Sequence, residues 1–176
     1  NIRLGPIDFD KDPEVESRWT HDLSYLRMLS RDLARPLSQA QLKKKYEAIE
    51  KGMEEHNLIY YTIRRKDDNG LLGFIRLFWI EWSHGAAMLQ MGIGDPAERG
   101  QGYGSQALRL ILRFAFEELN LYRLTAVVGE DNPRGVNFFQ KFGFVEEVRR
   151  RQALLRDGQT YDLLMLGLIK DEWRRE

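Results

Sequence analysis

The stretch Met91-Gly92-Ile93-Gly94-Asp95-Pro96-Ala97-Glu98-Arg99-Gly100-Gln101-Gly102-Tyr103-Gly104-Ser105 decides how this chain is read. An apolar strand runs into it over residues 88–93, a glycine-rich turn follows, and a helix with an apolar stripe leaves over 105–119. A strand, a glycine turn and a helix N-terminus together make an anion site. The turn points backbone N–H groups outward, glycines admit a ligand close to the chain, and the helix dipole adds positive potential. A diphosphate is the natural guest.

Upstream, residues 2–6 are short, apolar and closed by proline, which predicts an edge strand. Residues 14–30 carry Val15, Trp19, Leu23, Leu26 and Met28 at roughly helical spacing, and Arg35-Pro36 marks the stop. Ser38-Gln39-Ala40-Gln41 has capping-box spacing and opens a second helix to about residue 55, with Leu42, Tyr46, Ile49 and Met53 as its buried stripe. Residues 58–65 read as a strand, Asp67-Asp68-Asn69-Gly70 as a hairpin turn, 71–82 as a longer strand, and 86–93 as the third member of a meander. Downstream of the helix, 123–128 is a compact strand, so strand, helix and strand here imply a parallel pair. Asp131-Asn132-Pro133 opens a short helix that Gly143 breaks, and 144–155 and 159–168 form a hairpin about Arg156-Asp157-Gly158. The tail 170–176 is charged. The predicted order is β-α-α-β-β-β-α-β-α-β-β in one α/β domain over 1–176. Its mixed sheet splays where the antiparallel meander gives way to the parallel pair, and ligands enter at such switch points.

The composition is that of an ordinary globular chain. Of 176 residues, 43% are hydrophobic and 31% charged, enough for a real core. Lys plus Arg equals Asp plus Glu, 27 against 27, which argues against a nucleic-acid binder relying on bulk positive charge. With no cysteine, disulfides, thiolate metal sites and cysteine nucleophiles are excluded. No apolar run approaches the roughly 18 residues of a membrane span. Asn1-Ile2-Arg3-Leu4 lacks the apolar core of a signal peptide, so the cytoplasm is the expected location, and the absence of a starting Met is read as residues missing or trimmed.

Three readings compete for the glycine turn. A P-loop requires Gly-x-x-x-x-Gly-Lys-Ser/Thr, and no such lysine follows. A dinucleotide fingerprint requires Gly-x-Gly-x-x-Gly, and Gly100-x-Gly102-x-Gly104 is one residue short and follows a meander. The pattern Arg/Gln-x-x-Gly-x-Gly/Ala is matched by Arg99, Gly102 and Gly104 at every fixed position.

That last pattern resembles the signature of the Gcn5-related N-acetyltransferases, whose turn holds the pyrophosphate of acetyl-CoA. The element order is similar to that fold. The segment Asn132-Pro133-Arg134-Gly135-Val136-Asn137-Phe138-Phe139-Gln140-Lys141-Phe142-Gly143-Phe144 resembles the family's Asn…Tyr-x-Lys-x-Gly-Phe stretch, and Gly158-Gln159-Thr160-Tyr161-Asp162…Met165 resembles the RimJ/RimL branch and the related spermidine acetyltransferases. The resemblance covers 71–168 and weakens over the first two helices, where the family varies with substrate.

The resemblance implies acetyl transfer from acetyl-CoA to a primary amine, whether small molecule, polyamine or protein N-terminus. It implies that Ile93, Gly94 and Asp95 bind the pantetheine through their backbone, with an N–H near Ile93 or Gly94 polarising the thioester. Arg99, Gly100, Gln101, Gly102, Tyr103, Gly104 and Ser105 would cradle the pyrophosphate, and Asn132 would hold the pantetheine arm or simply cap its helix. Where many relatives carry an acidic Tyr, this chain has Phe139, which has no proton to give. Water, or Tyr161, would then protonate the leaving thiolate; otherwise the protein binds acetyl-CoA as a regulatory module without turnover. Glu81, between Trp79 and Trp82, is the candidate general base, with Asp95 and Asp162 as weaker ones, against the plainer reading of a solvated strand end. Trp19, Trp79 and Trp82 are expected in the core, or lining an acceptor pocket. His21, His56 and His84 lack metal-ligand spacing. The basic run Arg149-Arg150-Arg151 reads as a solvated strand face, as does the helix face of Glu47, Glu50, Glu54 and Glu55. A homodimer is expected from family habit, with neither nucleic acid nor membrane as partner.

Overall fold

The strand entering the glycine turn does so from the middle of a seven-stranded sheet. A computed structural model of the protein describes residues 1–173; the last three residues of the charged tail lie outside it. Its elements are β1 (Ile2–Gly5), α1 (Asp12–Trp19), α2 (Leu23–Leu29), α3 (Gln39–Glu54), β2 (Leu58–Arg65), β3 (Leu71–Glu81), β4 (Ala86–Ile93), α4 (Tyr103–Arg113), β5 (Arg123–Gly129), α5 (Pro133–Lys141), β6 (Val145–Arg156) and β7 (Gln159–Ile169). The strand order is β1-β2-β3-β4-β5-β7-β6, and β1 is an edge strand as its proline predicts.

The sheet is antiparallel except at β4 and β5, which pair in parallel from Ala86 opposite Arg123 to Leu89 opposite Ala126. Beyond Leu89 that ladder stops, while β4 stays paired to β3 through Ile93 opposite Gly73. The sheet therefore opens between residues 90–93 of β4 and the end of β5. This is the predicted splay.

Helices cover both faces. Leu108, Ile111 and Leu112 of α4 are wholly buried against Ile63, Ile75, Leu77, Leu89, Leu124 and Leu166. Each such side chain stabilises the fold by about 1.5–3 kcal/mol relative to exposure. On the other side Tyr46 and Ile49 of α3 pack on Tyr60 and Phe74, whose rings stack 5.6 Å apart. The capping box opening α3 forms as its spacing predicts: Ser38 Oγ accepts from Gln41 N and Gln41 Oε1 from Ser38 N. The helix predicted over 105–119 is α-helical only through Arg113, and Phe114–Glu118 continues as one π-turn.

The first predicted helix is in fact two. Thr20 Oγ1 donates to Ser17 O and accepts from Leu37 N, and the Asp22 carboxylate accepts from Ser24 N and Tyr25 N. Side chains that bond the backbone locally compete with the helix and restart it. The observed order is thus β-α-α-α-β-β-β-α-β-α-β-β. Because α2 is only two turns long, Leu23 and Met28 of the expected stripe lie exposed. Trp79 and Trp82 are also on the surface, Trp79 at 72% exposure, rather than in the core. Trp79 has φ +48°, inside the bulge between Phe78 and Glu81. Arg149 of the basic run is engaged by Glu130, Glu146 and Asp162 in a surface ion-pair network.

Candidate active site

The glycine turn opens on a cleft of about 370 Å³ along the splay. Its floor is β4 from Leu89 to Ile93 and its far wall Val127 and Val128 of β5. Tyr25, Met28 and Leu29 of α2 close one side, and Phe138 and Phe139 of α5 the other. Of the residues singled out in the sequence, the cleft brings together Ile93, Arg99, Gly100, Gly102, Gly104, Ser105 and Asn132. Gly94, Asp95, Gln101 and Tyr103 do not line it.

The turn requires its glycines. Gly100 and Gly102 have φ +83° and +84°, a region that L side chains avoid. Gly102 is the N-cap of α4, has no side-chain cap, and has no atom within 4 Å of where a Cβ would lie. Gln106 N is bonded to Gly102 O, so the N–H groups of Tyr103, Gly104 and Ser105 are the end of the helix left for an anion. Arg134 of α5, to which the sequence assigns no role, has its guanidinium beside Gly100 and lines the same cleft. These features fit a diphosphate: open space, outward N–H groups and an exposed cation.

Arg99, the fixed arginine of the motif, folds back on the strand. Its Nε donates to Ile93 O and its Nη2 to Gly94 O, with Asp22 3.5 Å away and Tyr25 beneath it. It braces the junction of β4, the turn and α2. Asp95 is spent likewise: its carboxylate accepts from Ala97 N and caps the single turn Pro96–Glu98.

Backbone direction decides which peptide groups face the splay. Gly94 N donates to Leu72 O of β3, so the even positions 90, 92 and 94 turn toward β3, and Met91 and Ile93 toward β5. The expectation that Gly94 offers its N–H to a thioester is therefore corrected; that group is already bonded. Gly94 is a glycine for another reason, since a Cβ there would overlap the Trp19 indole.

Asn132 lines the cleft and also caps α5, its Oδ1 accepting from Gly135 N at 3.0 Å. Phe139 packs edge-on to Phe138 and Phe144 and presents no donor. Tyr25 has a buried hydroxyl without a hydrogen-bond partner among the described residues, and burial, with Glu16 nearby, holds it far above the usual phenol range. Tyr161 donates to Gln159 on the β6–β7 hairpin and does not line the cleft. Asp162 serves structure: it accepts from Gln152 N, the main reason its pKa lies below the ordinary value, and binds Arg149.

Glu81, the candidate base, does not line the cleft. It is exposed, at the β3–β4 hairpin opposite Ala86, eight residues along β3 from Gly73, which faces Ile93. At about 3.3 Å per residue that is roughly 25 Å. The antiparallel run of β3 carries it away from the turn. Among the described residues no group of His, Asp or Glu side chains could hold a metal ion, and no helix is long and apolar enough to cross a membrane. A larger groove, of about 730 Å³, lies between α4, α5 and Trp173; it contains none of the glycine-turn residues, though Lys141 and Gly143 of the second motif line it.

Residues 2–145 match the family described as Acetyltransferase (GNAT) domain. Among curated relatives, a prophage-derived uncharacterized N-acetyltransferase of Bacillus subtilis is 24% identical over 72% of this chain and 70% of its own length. A putative ribosomal N-acetyltransferase of the same organism is 34% identical over 62% of this chain and 59% of its own. The spermidine N(1)-acetyltransferase of Vibrio cholerae is 26% identical over 58% of this chain and 59% of its own. Among solved structures, that organism's spermidine N-acetyltransferase in complex with CoA and spermine has a TM-score of 0.82 at 19% identity, covering 97% of this chain and 96% of that one.

Proposed function

The chain belongs to the GNAT acetyltransferase family, whose co-substrate is acetyl-CoA, and on that premise we propose that residues 1–176 work as one domain transferring an acetyl group to a primary amine. The observation that carries the reading is the uncapped N-terminus of α4, behind two left-handed glycines, opening into the cleft where β4 and β5 part. A diphosphate takes the N–H groups of residues 103–105, with Arg134 beside it. The pantetheine arm runs along the splay against Met91 and Ile93, and Asn132 and Phe138 flank it. Acetyl transfer then needs a donor for the thioester oxygen, and the Met91 N–H is the one this reading assigns.

The amine lone pair forms a C–N bond to the thioester carbon, the C–S bond breaks, and the sulfur leaves with its electron pair. The nitrogen loses one proton and the thiolate gains one. Phe139 supplies neither, so solvent carries that proton, which a good leaving thiolate tolerates. Phe139 also favours a second reading, a regulatory module that binds acetyl-CoA without turnover. Calorimetry with acetyl-CoA and with NAD, together with thiol release over an amine panel, decides between them. Acetyl-CoA binding with release above hydrolysis is the expected result, and NAD binding in its place would end both readings. A cytoplasmic location, RimJ/RimL-like kinship and assembly of copies through the exposed Val145 and Val148 of the edge strand β6 belong to the same proposal.

A further inference from the structure

Past Leu89 the cleft continues into a second cavity of about 250 Å³. The two share Met28, Leu29, Leu89, Gln90 and Val127, so their contents meet where β4 and β5 part. Arg27, Arg31, Arg76 and Arg156 line the second cavity against one carboxylate, Asp32. Two of these arginines are occupied. Arg27 forks onto Asp157 at 2.7 and 3.1 Å, and Arg156 holds Asp131 at 2.5 Å and the carbonyl of Arg27 at 2.6 Å.

Arg76 is different. It sits in the middle of β3, half-buried, cross-strand from Gln90. Its Nε donates to Gln90 Oε1 at 2.7 Å and its guanidinium lies 4.6 Å from the Phe78 ring. Gln90 Nε2 in turn donates to Leu29 O, which pins the amide and, through it, the plane of the guanidinium. Among the described residues no carboxylate oxygen lies within 4 Å of Arg76, and its two terminal nitrogens make no hydrogen bond. Burial lowers its pKa, yet a guanidinium keeps its proton in a protein. A fixed, half-desolvated cation with its fork free is a receptor for a planar anion.

We propose that this cavity is the acceptor site and that it selects an amine carrying a carboxylate within a few bonds, the amino-acid class, with Arg76 binding the carboxylate. The proposal rests on the acetyl-transfer reading above. A polyamine would have to set ammonium groups beside Arg76 and Arg31 with Asp32, whose charge already acts on Arg76, as the one carboxylate of the lining to receive them, while Asp131 and Asp157 are engaged elsewhere. The volume, about that of eight waters at roughly 30 Å³ each, suits a small acceptor. Arg76 neighbours Gln90, at the mouth shared with the first cleft, so a carboxylate on its fork leaves the nearby amine at the junction. The bond changes are those given above, and the carboxylate takes no part in them. Arg76 determines specificity.

The test compares amines that differ only in the carboxylate: lysine with 1,5-diaminopentane, alanine with ethylamine, and spermidine as the polycation. Thiol release is measured for the native chain, Arg76→Gln and Arg76→Lys. The native chain is expected to favour the carboxylate-bearing member of each pair in kcat/KM by about 10- to 100-fold, mainly through KM. Arg76→Gln should bring that ratio close to one, and Arg76→Lys should restore part of it. Calorimetry in the presence of CoA, with N-acetylalanine against N-ethylacetamide, reads the same preference without turnover. Diamine or spermidine used as well as lysine, or a ratio unmoved by Arg76→Gln, would overturn the proposal, as would N-acetylalanine binding no better than N-ethylacetamide. Failure of acetyl-CoA itself to bind would instead remove the acetyl-transfer reading.

Discussion

Gly102 and Gly158 make a matched pair for testing the diphosphate cradle. Both have left-handed backbones, φ +84° and +75°, and neither has any atom within 4 Å of the place a Cβ would occupy. An alanine at either position therefore adds backbone strain without a clash, about 1–2 kcal/mol. For a chain of this size each kcal/mol lowers Tm by about 2–4 °C, so both variants should melt roughly 2–8 °C below the native chain. Only Gly102 lines the cleft, at the N-cap of α4; Gly158 turns the β6–β7 hairpin. A methyl group at residue 102 stands in the space through which the diphosphate reaches the N–H groups of 103–105. Losing one charge-assisted hydrogen bond costs about 1.5–3 kcal/mol, or roughly 10- to 150-fold in Kd. Calorimetric titration with acetyl-CoA should show that loss for Gly102→Ala and native affinity for Gly158→Ala. If Gly102→Ala loses stability but binds acetyl-CoA within about two-fold of the native chain, the turn is a structural bend and the cradle assignment is wrong.

Arg134→Gln removes an exposed cation beside Gly100, and should weaken acetyl-CoA binding by up to about five-fold at low salt, with the difference fading at high ionic strength. Phe139→Tyr puts a hydroxyl on the ring that lines the cleft, and should raise kcat while leaving the KM for acetyl-CoA alone; an unchanged kcat in stopped-flow thiol release would show that the leaving thiolate is not short of a proton. Glu81→Gln should leave the pH–rate profile as it is, because the side chain lies outside both cavities; loss of the acidic limb would contradict this placement. Asp22 carries a pKa below its ordinary 3.8, chiefly because the Ser24 hydroxyl donates to it, so its cap stabilises the fold above pH 3.8 and is lost as the pH falls through the depressed value. Asp22→Ala should cost about 1 kcal/mol at neutral pH and flatten the fall of Tm below pH 4.

The linear chain was enough for everything that depends on neighbours in sequence. Strand periods, the capping box at Ser38, the glycine turn and the break at Gly143 are local, because propensities, caps and positive-φ demands act within a few residues. The restart at Asp22 was legible too, as Thr20 and Asp22 interrupt an apolar stripe, but the stripe dominated the reading. The anion cradle is local for the same reason: three N–H groups and three glycines lie within six residues.

Tertiary structure decided the rest. Strand pairing set which side each peptide of β4 faces, and so withdrew Gly94 from the thioester and left Met91 and Ile93. The antiparallel run of β3 took Glu81 to the far hairpin, although it lies close to β4 in sequence. Arg134 and Tyr25 come to the cleft on helices separated from the turn by the whole of β5 or of the meander. The free fork of Arg76 could not be read at all. An arginine's worth depends on which carboxylates fold up beside it, and Asp131 and Asp157 go to Arg156 and Arg27, leaving the guanidinium of Arg76 hydrogen-bonded to Gln90 and set against Phe78, with Asp32 acting on it only at longer range.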